Sequence, residues 1–397
     1  VRILYVSPYP PARDGIGTYT HVLARAVREH GHEIAVVAAR AHPGAPEEVV
    51  GALDDGVEAL RAAVARFRPD VAHVQFAVPA FGARTVAVAR WLAAPEVPVV
   101  ATLHEVSRDT ALLRGPGRAL YRRVGRAGER LIVHTRAALD TLASLGLDGR
   151  ATVVPHFSAP PPPATRTASD LRARHRLGDA RVLLAFGHIH VSKGLDDLVR
   201  AMATLPPATL EGVRVVVAGA VRRRHGPFRL FEARDHLHEA KVRRLARRNG
   251  VLDRLTFTGY VPDGEIAAWF AAAEAVVLPY RDAEQSGVAN LACAFGVPVI
   301  ATTVGGLAEL FEGSRWAVPP GSPGRLAAAI ADLLATGAGE SPGEGGTTRT
   351  PDTDLRGPRE GGTAPTPDTD LNAVALRTIA VYEAARDRGP RVPGKPS

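Results

Sequence analysis

Cysteine, lysine and aromatic residues are all scarce in this chain, and each scarcity narrows what it can be. One cysteine among 397 residues, Cys293, excludes an internal disulfide, and its setting in Leu-Ala-Cys-Ala-Phe reads as core packing in a protein of a reducing compartment. Aromatics make up 5% of the sequence, so its cores must rest on Val, Leu, Ile and Ala. No apolar run is long enough to span a bilayer, and no charged leader precedes the strand-like Arg2-Ile-Leu-Tyr-Val-Ser7. A soluble, cytoplasmic protein is the expectation. Only three of the 49 basic residues are lysines.

What is abundant is arginine, and the net charge is +8. Clusters stand at Arg222 to Arg224, at Arg243, Arg244, Arg247 and Arg248, and between Arg114 and Arg130. Nucleic acid would also call for aromatic stacking positions or a known binding module, and neither is present, so no nucleic-acid partner is expected. A phosphorylated ligand or an anionic membrane surface needs only the charge. Most of these arginines read as solvated helix faces.

Short Val- and Ile-rich runs at 2–7, 34–39, 71–76, 97–103, 131–134 and 151–154 alternate with amphipathic stretches, which predicts a parallel sheet with helices on both faces. The rhythm restarts after Ala159-Pro-Pro-Pro-Pro163, with strands near 181–187, 213–219, 255–258, 275–279 and 297–301. The predicted organisation is a first domain over 1–158, a linker over 159–180 and a second domain over 181–336. A low-complexity, disordered insert follows over 337–371, where Thr-Pro-Asp-Thr-Asp-Leu occurs twice, and then a helix over 372–386 that packs back on the body. The fold class is α/β, with two doubly wound, Rossmann-like domains facing a cleft where ligands of such folds bind.

Four segments could carry chemistry. Lys193 lies in Gly187-His-Ile-His-Val-Ser-Lys193-Gly194, between a strand and a helical pattern. A compact point charge there suits a phosphate, although a helix-capping surface lysine would look the same. In Asp14-Gly15-Ile16-Gly17-Thr18-Tyr19, glycines allow close backbone approach while the next helix points its positive end at an anion. The third glycine of a dinucleotide fingerprint is missing, and the second strand ends in Ala38-Ala39-Arg40 without a ribose-binding acid, which argues against a nicotinamide enzyme. His104, at the end of the fourth predicted strand, is placed to meet a sugar hydroxyl or steady positive charge. The stretch Glu284-Gln285-Ser286-Gly287-Val288 opens an apolar helix, whose free N–H groups could cradle a diphosphate.

Together these segments resemble the retaining GT-B glycosyltransferases of family 4. The resemblance runs from Val1 to about Leu334, plus the final helix, and is carried by Gly15-Ile-Gly17, His104, Val153-Val-Pro-His156 and Lys193-Gly194. Val217-Ala-Gly219, Phe257-Thr-Gly-Tyr-Val-Pro262, Gln285-Ser-Gly287, Gly296-Val-Pro298 and Gly305-Gly-Leu-Ala-Glu309 continue it. It implies a nucleotide-diphosphate sugar donor held mainly by the second domain, an acceptor held mainly by the first, and no metal or other cofactor. Lys193 and the N–H groups of Ser286, Gly287 and Val288 would then meet the diphosphate, with Gly15, Gly17, His188 and Gly219 close by. Tyr260 and Val261 lie where the family contacts the base, and His104 and Glu284 where it contacts the transferred sugar, with Gln285 a further substrate-binding position.

Two departures stand out. His188 replaces the arginine the family usually carries, and Asn290-Leu-Ala-Cys293 occupies the region of its second, ribose-binding glutamate. Arg281 and the Arg222 to Arg224 cluster are candidates to supply the missing charge. A non-catalytic sugar-nucleotide-binding protein of the same fold is the alternative. The acceptor stays open: arginines 114–130 fit a glycolipid met at an anionic membrane, and equally a solvated helix in an enzyme for a polysaccharide or small metabolite.

Overall fold

A computed structural model describes residues 1–12, 14–157, 164–223, 229–337 and 369–388. The chain divides into two compact units, Val1–Ala159 with Pro367–Ser397, and Pro160–Thr366. In the first unit β1 (Arg2–Ser7), α1 (Gly15–Glu29), β2 (Glu33–Ala38), β3 (Val49–Ala52), α2 (Val57–Phe67) and β4 (Val71–Phe76) lead to α3 (Val78–Phe81) and α4 (Thr85–Trp91). Then follow β5 (Val99–Leu103), α5 (Val106–Ala127), β6 (Arg130–Val133), α6 (Arg136–Ala143) and β7 (Ala151–Val153). These strands form a seven-stranded sheet in the order β3-β2-β1-β4-β5-β6-β7, with every pairing parallel. Parallel strands are covered on both faces, so β1 is buried from Ile3 to Ser7 and β4 is buried throughout.

The second unit runs through α7 (Ala168–Arg174), β8 (Arg181–Phe186), α8 (Leu195–Thr204), β9 (Val213–Ala218), α9 (Arg229–Arg248), β10 (Leu255–Gly259) and α10 (Ile266–Ala272). It continues with β11 (Ala275–Leu278), α11 (Gly287–Ala294), β12 (Val299–Thr302), α12 (Gly305–Leu310), β13 (Ala317–Val318) and α13 (Pro323–Gly337). Its six strands lie in the order β10-β9-β8-β11-β12-β13, again all parallel. The doubly wound reading of both halves therefore holds.

The last helix, α14 (Leu371–Arg386), belongs to the first unit. Val374, Ile379 and Tyr382 sit in a core with Ile3, Tyr5 and Val27, and the Tyr382 hydroxyl lies 2.9 Å from that of Tyr5. Most of the predicted insert, residues 338–368, lies outside the described residues, as do 158–163 of the connection and Arg224. The remainder of the predicted linker is not a connector. Thr167 and Asp170 form a reciprocal capping box that starts α7, and Leu171 is buried in the second domain's core.

Candidate functional site

In the second domain the loops at the carboxyl ends of four strands are packed backbone to backbone. At Gly194 (φ 62°), between the Lys193 turn and α8, a Cβ would stand 1.8 Å from the Pro279 carbonyl oxygen after β11. At Gly219, after β9, it would stand 2.0 Å from the Gly187 oxygen, and at Gly187, after β8, 3.4 Å from Val288 of α11. Gly305 makes the same kind of contact, 1.8 Å from the Ala283 oxygen, and the Gly306 N–H donates to the Glu284 carbonyl at 3.2 Å. Only residues without a side chain permit approaches this close. The structure thus brings the Lys193 loop, Gly219, Glu284 and the start of α11 into one constellation, with Tyr260 and Val261 following a bridge between Gly219 and Gly259.

Lys193 is half-buried, and its ammonium lies 3.5 Å from the centroid of the Tyr280 ring. A cation on an aromatic face is oriented without being neutralised. The Tyr280 ring is 2% exposed, and its hydroxyl has no partner among the described residues. Ser286 caps α11, its Oγ accepting the Ala289 N–H at 3.2 Å. The Gly287 and Val288 N–H groups, at the first two positions of the helix, have no intrahelical acceptor. His188 is exposed, with Nδ1 3.2 Å from the Ala220 carbonyl; Gln285 is half-buried.

Arg281 does not supply a spare charge. Its Nη2 lies 2.9 Å from Asp196 and 2.7 Å from Asp197, and its Nε donates to Asp197 at 2.9 Å. Asp196 is 2% exposed and Asp197 is 7% exposed on its side chain. Burial alone would raise the Asp196 carboxyl pKa, but hydrogen bonding and charge from Arg281, with His238 and Arg200 nearby, hold it below its usual value. Arg281 is therefore spent on anchoring the first turn of α8, and its main-chain N–H donates to the Ser192 carbonyl at 2.7 Å, which ties the Lys193 loop to β11.

A hollow of about 440 Å³ lies at the opposite edge of this sheet, lined by Asp179, Arg214, Asp253 and Arg254. Both arginines there donate to main-chain carbonyls, of Asp253 and Leu210. Ligands of parallel sheets bind at the carboxyl edge, so the smaller glycine-lined constellation is the better candidate.

In the first domain the Asp14 to Tyr19 motif works differently from its sequence reading. The Asp14 carboxylate caps α1, accepting from Ile16 N at 2.9 Å and Gly17 N at 3.1 Å, so two first-turn donors expected to face an anion are already occupied. Gly17 is buried and packed so closely that a Cβ there would sit 3.2 Å from the Pro8 backbone; Gly15 is exposed with open space about it. The motif reaches His104 through Tyr19, whose ring meets it edge-on with centroids 5.2 Å apart and stacks on Phe157 at 4.6 Å.

His104 is 8% exposed, and both ring nitrogens already have protein partners. Nε2 lies 2.7 Å from Gln75 Oε1, and Nδ1 lies 3.2 Å from His134 Nε2. Burial, then the neighbouring histidines, push its pKa well below that of free histidine. His73 and His134 are driven down to about 3 by the same causes. Sequence reasoning missed Gln75, His134 and His73; the available signal was polar residues alternating within strands that otherwise read as wholly buried.

The sequence pattern described as "Glycosyltransferase Family 4" matches residues 13–157, and that described as "Glycosyl transferases group 1" matches 180–336. A D-inositol 3-phosphate glycosyltransferase of Xylanimonas cellulosilytica is 35% identical over 55% of this chain and 54% of its own length. A GDP-mannose-dependent alpha-(1-6)-phosphatidylinositol monomannoside mannosyltransferase of Mycobacterium tuberculosis is 34% identical over 44% of this chain and 43% of its own length. The chain thus spans about half the length of these relatives, whereas the Mycolicibacterium smegmatis mannosyltransferase of the same name aligns at 26% identity over 84% of the chain and 89% of its own. Among solved structures, sucrose-phosphate synthase of Thermosynechococcus elongatus superposes with a TM-score of 0.69 at 19% identity, covering 96% of this chain and 98% of that one. Anabaena HepE in complex with UDP-glucose gives 0.63 at 16%, covering 98% of each. One sequence pattern for each domain, and the shared two-sheet fold, lead to one conclusion: the chain belongs to glycosyltransferase family 4 and has the GT-B fold.

Proposed function

We propose that this chain is a retaining glycosyltransferase whose second domain binds a nucleotide-diphosphate sugar and whose first domain binds the acceptor. The observation that carries the reading is the packing of the Lys193 loop against the start of α11, which puts a half-buried ammonium and the Gly287 and Val288 N–H groups on adjoining segments. Such a set stabilises charge as it develops on a leaving diphosphate, and its groups are oriented before the reaction begins. Glu284 is assigned to the sugar, Gly219 and His188 to the phosphates, and Tyr260 and Val261 to the base. The sugar passes through an oxocarbenium-like state, and a diphosphate oxygen takes the acceptor hydroxyl proton on the same face. His104, directly after β5 in the first domain, is assigned to a sugar or acceptor hydroxyl.

The relatives' names favour an inositol phosphate or an inositol glycolipid as acceptor. Six arginines on α5 support an anionic one, and exposed Leu112 and Leu113 beside them support peripheral contact with an anionic membrane from the cytoplasmic side. Among the described residues no helix is long and apolar enough to cross a membrane. A second reading, a sugar-nucleotide binder without turnover, draws on Asn290-Leu-Ala-Cys293 and on the engagement of Arg281. Sugar transfer or donor hydrolysis above background, abolished in Lys193→Ala, is the expected result; full turnover by that variant would refute the assignment.

A further inference from the structure

One face of the first domain's sheet changes character along its strands. Ile3, Val71, Val100 and Ile132 are apolar and buried; two residues further along their chains stand Tyr5, His73, Thr102 and His134, and two further again Ser7, Gln75 and His104. All seven are buried. Packing requires none of these polar groups, and burying them is unfavourable unless each finds a partner. His73 does so with Thr102 Oγ1 and the Tyr382 hydroxyl, both at 2.7 Å.

The protons of the other line can be counted. His134 Nδ1 lies 2.8 Å from the Val154 carbonyl oxygen, which only accepts, so Nδ1 carries a hydrogen. Burial keeps both this ring and His104 uncharged. His134 Nε2 is therefore bare and accepts from His104 Nδ1–H at 3.2 Å, which leaves the His104 lone pair on Nε2. That nitrogen lies 2.7 Å from the Gln75 carboxamide at Oε1. Two acceptors cannot share that contact, so the carboxamide must turn end for end and offer its NH2.

We infer that His134 and Gln75 are positioning residues that lock His104 as a hydrogen-bond acceptor at Nε2, so that the substrate group meeting it is a donor, a sugar or polyol hydroxyl, and not a carboxylate or carbonyl oxygen. The inference rests on the reading that His104 meets substrate. An arriving hydroxyl competes with the Gln75 amide for one lone pair, so His104 favours hydroxyl-bearing substrates over oxidised ones.

The test is long-range proton–nitrogen NMR of the full chain labelled with 15N-histidine, His104 being assigned from its loss in His104→Gln. At pH 7 His104 should show a protonated Nδ1 and a bare Nε2. His134→Gln offers an oxygen to the same Nδ1–H and should keep the pattern, while His134→Leu should let the proton move to Nε2. Gln75→Glu, which offers Nε2 only acceptors, should draw a proton there and serves if His134→Leu does not fold. With a nucleotide sugar as donor, His134→Leu should lower kcat/KM about tenfold and His134→Gln should restore most of it. A protonated Nε2 in the wild type overturns the inference, as does a moved proton with unchanged kcat/KM. A wild type without transfer counts against the transferase reading, while the NMR pattern still decides the state of His104.

Discussion

Acidification from pH 7 to pH 5 should destabilise the first domain selectively. His73 and His134 have pKa values of about 3 in the folded chain, against an ordinary 6.5, because burial penalises the charged ring and a neighbouring histidine adds to it. Unfolding restores the ordinary value, so between pH 6.5 and about 3 the unfolded chain binds protons that the folded chain does not. The stabilisation is complete above pH 6.5 and is lost progressively as pH falls through that window. Each histidine contributes a slope of about 1.4 kcal/mol per pH unit, which makes about 2 kcal/mol at pH 5 for one and about 4 kcal/mol for the pair. His104 and His156 are displaced in the same direction and add to the loss. Against a typical domain stability of about 5–15 kcal/mol, that is a large share. Hydrogen exchange read by mass spectrometry, peptide by peptide in guanidinium at pH 7.5, 6 and 5, separates the domains. Peptides covering β4, β5 and β6 should lose protection at least two protons' worth faster per pH unit. A slope below one proton would refute the picture of neutral buried histidines.

Other outcomes follow from the second domain and from α5. Gly194→Ala places a Cβ against the Pro279 carbonyl at positive φ, so the second domain should lose about 2 kcal/mol or more, seen as a Tm lower by about 5 °C or more. Arg281→Ala leaves Asp196 and Asp197 with Arg200 alone; since Arg281 is itself one-third exposed, a loss of about 2 kcal/mol is expected, read by denaturant unfolding, instead of a selective loss of donor affinity. The chain should co-sediment with vesicles rich in anionic lipid at low salt, and reversing the charges of Arg122, Arg123 and Arg126 should abolish this; no sedimentation of the wild type removes the membrane contact.

Much of the fold was legible because buried parallel strands are continuous apolar runs. The runs at 97–103 and 297–301 overshoot by two residues because Pro98 and Pro298 precede the paired segments Val99–Leu103 and Val299–Thr302. β3 and β13 escaped notice, being four and two residues long, and α7 was hidden in a stretch read as linker. The Lys193 loop was legible because glycine and a rare lysine stand out locally. The histidine line was not: His73, Thr102, His134 and Tyr382 lie on separate elements and meet only through strand register and the docking of α14. At the start of α1 the sequence reading offered the first-turn N–H groups to an anion, and the Asp14 side chain occupies two of them.

Calorimetric titration of a nucleoside diphosphate and its sugar conjugates into the wild-type chain and Lys193→Ala tests the assignment of the second domain most directly. Removing one charge-assisted contact to a diphosphate should weaken binding about tenfold to a hundredfold, with the Tm of the unliganded chain nearly unchanged. Equal affinity in the two proteins would contradict the account.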